Sequence, residues 1–204
     1  MQSIQMGVKL FFDFFVCAFF SLLLLPFWII VSIAICVDSR GSPPFFLQER
    51  LGKNGKVFKI IKFRTMVCNA EEIGDGLIVK DERDVRITRV GRFLRKTSLD
   101  ELPQLFNILK GDMSIVGPRP PVTYHPYNGY ESYSDFAKKR FDVRPGITGL
   151  AQVKKRNSVS WDERIAIDVE YVERFNIALD LWILANTISS MRYKEEYVEN
   201  DKCV

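Results

Sequence analysis

The 204-residue sequence predicts an α+β fold that is mainly helical, with a small β-hairpin and an N-terminal helix in a membrane. Three observations support this prediction: residues 10–37 are almost entirely apolar, residues 45–64 show a strand, turn and strand pattern, and helical spacing of apolar residues dominates the remainder. The length allows one domain with a hydrophobic core besides the membrane segment. We therefore expect a membrane segment with its flank at residues 1–40, a globular domain at residues 41–192 and a charged tail at residues 193–204.

The membrane segment exceeds the roughly 20 residues that a helix needs to cross a bilayer, and Asp13 is its only charged residue. A cleaved signal peptide is not expected, because the stretch is about twice too long and no small-residue cleavage site follows. Pro26 lies near the middle, where it removes a backbone hydrogen bond and favours a kink. A kinked helix can span the bilayer or can re-enter the same face, and both topologies stay open at this point. The positive-inside rule places the bulk of the chain in the cytoplasm, because cationic residues follow the segment: Arg40, Arg50, Lys53, Lys56, Lys59, Lys62 and Arg64.

A β-hairpin is predicted next. Phe45–Gln48 and Val57–Arg64 are strand-like runs rich in aromatic and β-branched residues, and Gly52–Gly55 between them supplies the turn. Residues 69–82 then form a polar connection.

A basic stripe follows, with arginines at every third position: Arg83, Arg86, Arg89, Arg92 and Arg95. On a helix this spacing draws a slowly drifting cationic face. The face is either a solvated surface paired with neighbouring acids, or an electropositive wall that binds a phosphate.

Two adjacent carboxylates, Asp100 and Glu101, come directly after the stripe and just before Pro103. Proline is tolerated only in the first turn of a helix, so a helix should begin near Ser98 to Asp100. Either Ser98 caps this helix with Glu101 as its capping-box partner, or Asp100 is the cap. The acids can be caps only, or they can meet an anionic ligand together with a metal. In both cases we expect the helix dipole to keep Asp100 ionised.

The remaining chain offers two rigid basic turns and two helices. Arg119 lies between prolines that fix its backbone for phosphate binding, and Arg144 precedes Pro145 in a similar turn. Ser160–Glu163 reads as a capping box that starts a helix through Phe175, with Asp168 at its surface or facing the site. Residues 177–191 form either a core helix or an amphipathic helix lying in the membrane interface.

Composition excludes several functions. A net charge of +4 is not the profile of a nucleic-acid binder, and no glycine-rich nucleotide loop is present. The four cysteines are too widely spaced for a zinc knuckle or a disulfide framework. His125 is the only histidine, and its place beside a proline is typical of a loop residue. Carboxylates, arginines, lysines and a hard metal remain as the tools of an enzyme.

With these residues assembled, the chain resembles the monotopic phosphoglycosyl transferases, the bacterial sugar transferase family. The resemblance runs from about Lys9 to Met191 and rests on four motifs in order: KFRTM at Lys62–Met66, TSLDELPQ at Thr97–Gln104, KGDMSIVGPRP at Lys110–Pro120 and RPGITG at Arg144–Gly149. Two positions depart from a familiar version of the pattern, Leu25 in place of a serine before the kink proline and Leu150 in place of a tryptophan.

The resemblance implies a small enzyme at the cytoplasmic face of the bacterial inner membrane, with residues 41–192 as its catalytic domain and a re-entrant N-terminal helix. Such enzymes transfer a sugar 1-phosphate from a UDP-sugar to a polyprenol phosphate and so initiate glycoconjugate or polysaccharide biosynthesis. Asp100 would attack the β-phosphorus and form a covalent phosphosugar intermediate with release of UMP. Membrane lipid and downstream glycosyltransferases are the further partners that the resemblance implies.

For the site, the resemblance implies magnesium held by Asp100 and Glu101, with Glu101 as acid/base partner or as a second anionic contact to the metal. Phosphate and substrate contacts are expected from six residues: Lys62, Arg64, Arg95, Arg119, Arg144 and Asp168.

Two hypotheses from other classes remain. One is a membrane-anchored scaffold whose basic stripe binds anionic lipid or an acidic partner. The other is a metal-dependent phosphohydrolase that uses the same acids with water as the final acceptor.

Overall fold

The computed structural model describes residues 2–39, 41–73, 84–155 and 159–190. Three expectations concern residues outside these ranges: Arg83 of the basic stripe, most of the polar connection, and the charged tail.

The N-terminal segment forms two helices, α1 (Gln2–Leu23) and α2 (Leu25–Asp38). Pro26 lies in the first turn of α2, where its missing N–H costs least. The predicted break at this proline is therefore confirmed. Within α1, Ile4–Leu23 is long and apolar enough to cross a membrane by its length and composition.

Both helices pack against the globular part of the chain. Cys17 of α1 joins a buried cluster with Ile108 and Met113, and Trp28 of α2 joins another with Phe63 and Leu94. The opposite faces of both helices expose a band of large apolar side chains: Phe11, Phe12, Phe15, Phe19, Leu22, Leu25, Ile29, Ile30 and Ile33. An exposed apolar area of this kind on two adjacent helices is typical of contact with lipid.

The predicted hairpin is confirmed. Strands β1 (Phe45–Leu51) and β2 (Val57–Phe63) are antiparallel, with Phe45 opposite Phe63. Gly55 in the turn has φ +74°, and a Cβ there would lie 2.4 Å from the Tyr130 ring. The position therefore requires glycine both for its backbone and for its packing.

The basic stripe is shorter than predicted. Helix α3 (Arg89–Lys96) begins after Thr88, whose hydroxyl accepts a hydrogen bond from Gly91 N at 3.0 Å. Arg86 precedes the helix and is buried, with its guanidinium on the Asp84 carboxylate and on two backbone carbonyls. Arg86 therefore holds the chain together before α3 and is not part of a cationic wall.

The helix after the acid pair also differs from the prediction. Helix α4 (Gln104–Lys110) begins with Pro103 as its N-cap, and a 3-10 turn at Leu99–Glu101 precedes it. Neither proposed capping register is present, since Ser98 has φ +55° and makes no capping bond. The first turn of α4 lacks a side-chain cap because proline stands where the cap residue would be. The glycine end is confirmed, with Gly111 at φ +84°.

A second, unpredicted sheet consists of two short parallel strands, β3 (Ser114–Val116) and β4 (Gly146–Thr148). Helix α5 (Asp135–Lys138) lies between them in the sequence. A Cβ on Gly146 would lie 2.1 Å from Gly117 N, so the two segments approach as backbone against backbone.

Three further helices follow in the described ranges: α6 (Leu150–Lys155), α7 (Trp161–Arg174) and α8 (Ile177–Ser190). The Ser160 hydroxyl accepts a hydrogen bond from Glu163 N at 3.3 Å, as the capping box predicts. Helix α8 buries Ile183 in the core and exposes Leu181 and Trp182, so it combines a core face with an exposed apolar face.

Candidate active site

Asp100 and Glu101 lie on the 3-10 turn between α3 and α4, beside the end of strand β2. The Glu101 carboxylate accepts two charged hydrogen bonds at the same oxygen, Oε1: from Lys62 Nζ at 2.8 Å and from Arg119 Nη2 at 2.9 Å. Glu101 is thus held between the end of β2 and the proline-rich turn after β3.

These contacts determine the charge of Glu101. Burial alone would raise the pKa of this carboxyl, but the Arg119 and Lys62 charges and their hydrogen bonds outweigh burial and hold the pKa well below its ordinary value. Glu101 therefore stays ionised over the whole physiological pH range. A carboxylate with such a low pKa is a poor proton donor, which disfavours an acid/base role for it.

Asp100 has a different environment. No residue in the described ranges donates a hydrogen bond to it, and burial raises the pKa of Asp100 to about 6. The nearby Lys62, Arg95 and Arg119 charges act in the opposite direction, while Glu101 adds to the increase. Helix α4 begins only at Gln104, so burial and the neighbouring charges, and not the α4 dipole, are the main influences on the Asp100 pKa. With a pKa of about 6, the Asp100 carboxyl is still mostly ionised near pH 7.

The two neighbouring carboxylates thus differ in their interactions. Glu101 is locked in ion pairs, whereas the oxygens of Asp100 are free to react or to bind a ligand. Such a division between adjacent carboxylates is typical of catalytic pairs.

Three of the predicted cationic residues surround this pair. Lys62 and Arg119 bind Glu101 directly, and Arg95 lies in the last turn of α3, where its charge reaches Asp100. Burial lowers the pKa of Lys62, against the opposing pull of Glu101.

The structure places the other three predicted contacts elsewhere. Arg64 donates to the carbonyls of Pro43 and Phe45 and so fastens the start of the hairpin. Arg144 lies beside Gly111 at the far end of α4, about 10 Å from the start of that helix by its length. The roles predicted for both in substrate binding stay predictions.

Asp168 is buried, and it binds the equally buried Arg140 at 2.6 Å. The same Arg140 Nη2 donates to the carbonyl oxygen of Arg119 at 2.9 Å. Asp168 therefore reaches the site through the backbone of Arg119, and its predicted contact with substrate would require this ion pair to open.

Sequence reasoning missed Arg140 and Asn107. Arg140 follows Lys138 and Lys139, a run that reads as solvated surface. Asn107 is completely buried and binds the backbone of β2. An amide inside the apolar stretch Leu105–Leu109 was the available signal for it.

The acid pair fits a magnesium ion of the kind that relies on its substrate for ligands. No cluster of three or more His, Cys, Asp or Glu residues suitable for a metal exists within the described ranges. Magnesium commonly uses one or two carboxylates and completes its shell with water and substrate phosphate. The free oxygens of Asp100 and the second oxygen of Glu101 meet that need.

A cationic cluster beside a free carboxylate offers chemistry on phosphate groups, because the cations attract the anion and the carboxylate can attack its phosphorus. The apolar band on α1 and α2 adds association with a membrane. The class that these features define is a membrane-associated phosphotransfer enzyme.

Comparison with known sequences makes the class specific. The family model described as bacterial sugar transferase matches residues 4–194, so the chain belongs to the bacterial sugar transferase family. The resemblance noted from its motifs is thereby confirmed at the level of this family.

Three relatives illustrate the similarity. The uncharacterized sugar transferase EpsL of Bacillus subtilis is 44% identical over 168 residues, which cover 82% of this chain and 79% of EpsL. The undecaprenyl-phosphate galactose phosphotransferase of Salmonella typhimurium is 44% identical over 164 residues, 74% of this chain and 34% of that protein. The UDP-glucose:undecaprenyl-phosphate glucose-1-phosphate transferase of Caulobacter vibrioides is 40% identical over 184 residues, 88% of this chain and 67% of that protein. The chain thus spans about a third of the Salmonella protein and most of EpsL.

Proposed function

We propose that the protein transfers a sugar 1-phosphate from a UDP-sugar to undecaprenyl phosphate, the type of reaction named for its Salmonella and Caulobacter relatives. The observation that carries this proposal is the unpaired Asp100 carboxylate beside a Glu101 that Lys62 and Arg119 hold in place. A nucleophile and a cationic cluster for phosphate stand together in a chain of this family.

In the first step, an Asp100 carboxylate oxygen attacks the β-phosphorus of the UDP-sugar. A bond forms between this oxygen and phosphorus, the bond from phosphorus to the bridging oxygen breaks, and its electron pair leaves with UMP. In the second step, a phosphate oxygen of undecaprenyl phosphate attacks the same phosphorus. The aspartyl oxygen leaves, so Asp100 returns to its original form as a carboxylate.

The cations assist both steps. Negative charge accumulates on the phosphoryl oxygens and on the leaving UMP, and Lys62, Arg95 and Arg119 lie where they can stabilise it. Glu101 fixes Lys62 and Arg119, since both bind its Oε1. Asp100 and Glu101 would hold magnesium, which when bound neutralises diphosphate charge that otherwise repels a carboxylate nucleophile.

We further propose that α1 and α2 form a re-entrant element and that the catalytic part lies at the cytoplasmic face. Asp13 of α1 accepts a hydrogen bond from Ser114 at the start of β3, and Asp38 at the end of α2 accepts one from Val90 N at 2.8 Å. Contacts of both helices with one globular body support a pair that returns to the side from which it came. The exposed apolar face of α8 supports contact with the membrane interface.

The test is UMP release from a panel of UDP-sugars, with undecaprenyl phosphate in detergent micelles or vesicles and with magnesium present. Release with one or more sugars is expected, and the lipid product should contain the sugar 1-phosphate. Water as the final acceptor, with no dependence on the polyprenol phosphate, would indicate the phosphohydrolase instead.

A prediction about Asp100 tests the covalent step. Asp100→Asn should abolish UMP release, at least about 1,000-fold, because an amide cannot supply the carboxylate nucleophile. Intact mass spectrometry of the wild type with a UDP-sugar and no lipid acceptor should show a phosphosugar adduct that the variant lacks. Arg89→Gln, on the exposed part of α3, is the matched control and should keep its turnover. The scaffold hypothesis instead predicts that Arg89→Gln weakens binding to anionic vesicles and that Asp100→Asn has no effect.

A further inference from the structure

Lys62 meets Glu101 only if strand β2 and the turn before α4 keep a fixed relation to each other. We propose that Asn107 is the positioning residue that maintains this relation, by fastening α4 to the edge of β2 beside Lys62. The inference rests on the proposed function for its catalytic consequence, and on the contacts of Asn107 for its physical basis.

The Asn107 amide makes two hydrogen bonds to β2. Its Oδ1 accepts from Ile61 N at 2.9 Å, and its Nδ2 donates to the carbonyl oxygen of Lys59 at 2.8 Å. Asn107 itself is completely buried, so its amide has no water as an alternative partner. Both the donor and the acceptor of the side chain are used, which fixes its orientation.

The two bonds occupy the edge of β2 that β1 does not cover. Along a strand, alternate residues direct their N–H and C=O groups to opposite edges, so Lys59 and Ile61 share one edge. The Asn107 amide offers that edge the donor and acceptor that a third strand would offer. Loss of the amide would leave a partly buried N–H and a partly buried carbonyl without their partner, which a folded chain avoids.

This fastening lies directly beside the site. Ile61 precedes Lys62 in β2, and Lys62 Nζ binds Glu101 at 2.8 Å. Glu101 is joined to Asn107 through the first turn of α4. The backbone, the two hydrogen bonds of the Asn107 amide and the Lys62–Glu101 ion pair thus form a closed ring of contacts. In this ring, the Asn107 hydrogen bonds set the position of Lys62 along the axis of α4. The ion pair alone would not set this position, because the four-carbon side chain of Lys62 is flexible.

Catalysis is sensitive to such placement. A displacement of about 1 Å of a group that assists a reaction costs on the order of 100-fold in rate. Lys62 contributes to the reaction through its charge near Asp100 and Glu101, so a shift of β2 against α4 would lower kcat. Substrate affinity should change less, because Arg119 and Arg95 lie on other elements.

The test is a double-mutant cycle between Asn107 and Lys62, read as UMP release. Asn107→Leu replaces the amide by an apolar side chain of similar size and so removes both bonds, and Asn107→Asp keeps the acceptor but loses the donor. We expect Asn107→Leu to lower kcat about 10- to 100-fold with little change in KM, and Asn107→Asp to have a smaller effect in the same direction. If Asn107→Leu does not fold, Asn107→Asp takes its place in the cycle.

The cycle separates positioning from plain stabilisation. In a Lys62→Met background the Asn107 substitution should cost less than about threefold, because the residue through which it acts is already absent. In an Arg119→Met background it should keep its full effect, since Arg119 is not on β2. The matched control is Ile183→Ala, which removes buried volume from the core beneath α8 and should lower Tm without any dependence on Lys62. Additive effects of Asn107 and Lys62 substitutions would overturn the inference.

A second readout does not depend on the reaction. Acylation of lysines, followed by mass spectrometry, reports the accessibility of Lys62 relative to the exposed Lys59 on the same strand. Asn107→Leu or Asn107→Asp should raise the labelling rate of Lys62 several-fold and leave Lys59 unchanged, and Ile183→Ala should change neither. Unchanged labelling of Lys62 in the Asn107 variants would contradict the inference, whether or not the protein is active. Absence of UMP release by the wild type with every UDP-sugar would instead refute the proposed function only.

Discussion

At the scale of single residues, the acid pair shows how one turn of chain gives two carboxylates opposite properties. Glu101 is ionised because two cations bind one of its oxygens. Asp100 has a raised pKa because it is partly buried and no described residue donates a hydrogen bond to it. The sequence contains only the dipeptide, and the difference arises from Lys62 and Arg119, which the fold brings from far along the chain. The pair could be located from the sequence, but its division of roles could not.

The raised pKa of Asp100 predicts how activity depends on pH. In the proposed mechanism only the carboxylate form of Asp100 attacks phosphorus, so kcat/KM for UMP release should fall as pH decreases through about 6, and not near the ordinary aspartate value of 3.8. Added magnesium should move this decrease to lower pH, because a bound cation favours the ionised carboxylate. Initial rates from pH 4.5 to 8 at two magnesium concentrations would measure both effects. A rate that stays constant down to pH 5 at the lower concentration would contradict the prediction.

At the scale of secondary structure, the close approach of α3 to the hairpin places Arg95 near the acids. Gly91 faces Thr65 just after β2, and a Cβ there would lie 2.0 Å from the Thr65 carbonyl oxygen. A contact between two backbones cannot relax by a change of rotamer. The glycine therefore sets the distance between α3 and the Lys62–Met66 motif.

Gly91→Ala should accordingly destabilise the protein by about 3 kcal/mol, although alanine is the better helix former. The matched control is Gly7→Ala, since Gly7 lies within α1 with no atom within 4 Å of a Cβ at that position. That change should be neutral or stabilise by about 0.5–1 kcal/mol. Chemical denaturation in detergent would measure both, and equal midpoints for the two variants would argue against the contact.

The elements differ in how well they could be predicted. The hairpin, the break at Pro26 and the capped start of α7 follow from local signals, and all three are confirmed. The start of α4 differs from the prediction, because two capping signals compete near Pro103 and the structure uses neither. Strands β3 and β4 are three residues each, too short to show a period, and their pairing depends on glycine contacts across the fold. Asn107 and Arg140 bind backbone atoms of distant segments, which no local pattern specifies.

At the scale of the whole molecule, a buried polar network ties the N-terminal helix to the last one. Lys9 Nζ binds the Asp180 carboxylate at 2.6 Å, and the Tyr171 hydroxyl donates to the other oxygen of Asp180 at 2.8 Å. Asp13, one turn after Lys9, accepts from Ser114. These contacts connect α1, α7, α8 and β3 without any exposed partner.

Removing one member of the network should be costly. Lys9→Met leaves the Asp180 charge buried without its partner, for which we expect a loss of about 3–5 kcal/mol. Adding Asp180→Asn should recover much of this loss, because the amide oxygen still accepts from Tyr171 and no charge remains. The exposed pair Lys139 and Glu173, 2.7 Å apart, is the control, and Lys139→Met should cost less than about 1 kcal/mol. Thermal unfolding in detergent would measure both losses of stability. Equal losses for Lys9→Met and Lys139→Met would contradict the prediction that the buried pair matters more.

The contacts of α1 and α2 have a consequence for where the chain can be divided. Cys17, Trp28 and Ile35 are members of the same buried clusters as Ile60, Ile108 and Phe63. Cutting the chain after residue 40 would therefore open the interior of the catalytic part, and not merely release it from the bilayer. Solubility gained by removing the apolar helices would be lost again at the newly exposed core, so the protein has to be purified with α1 and α2 attached.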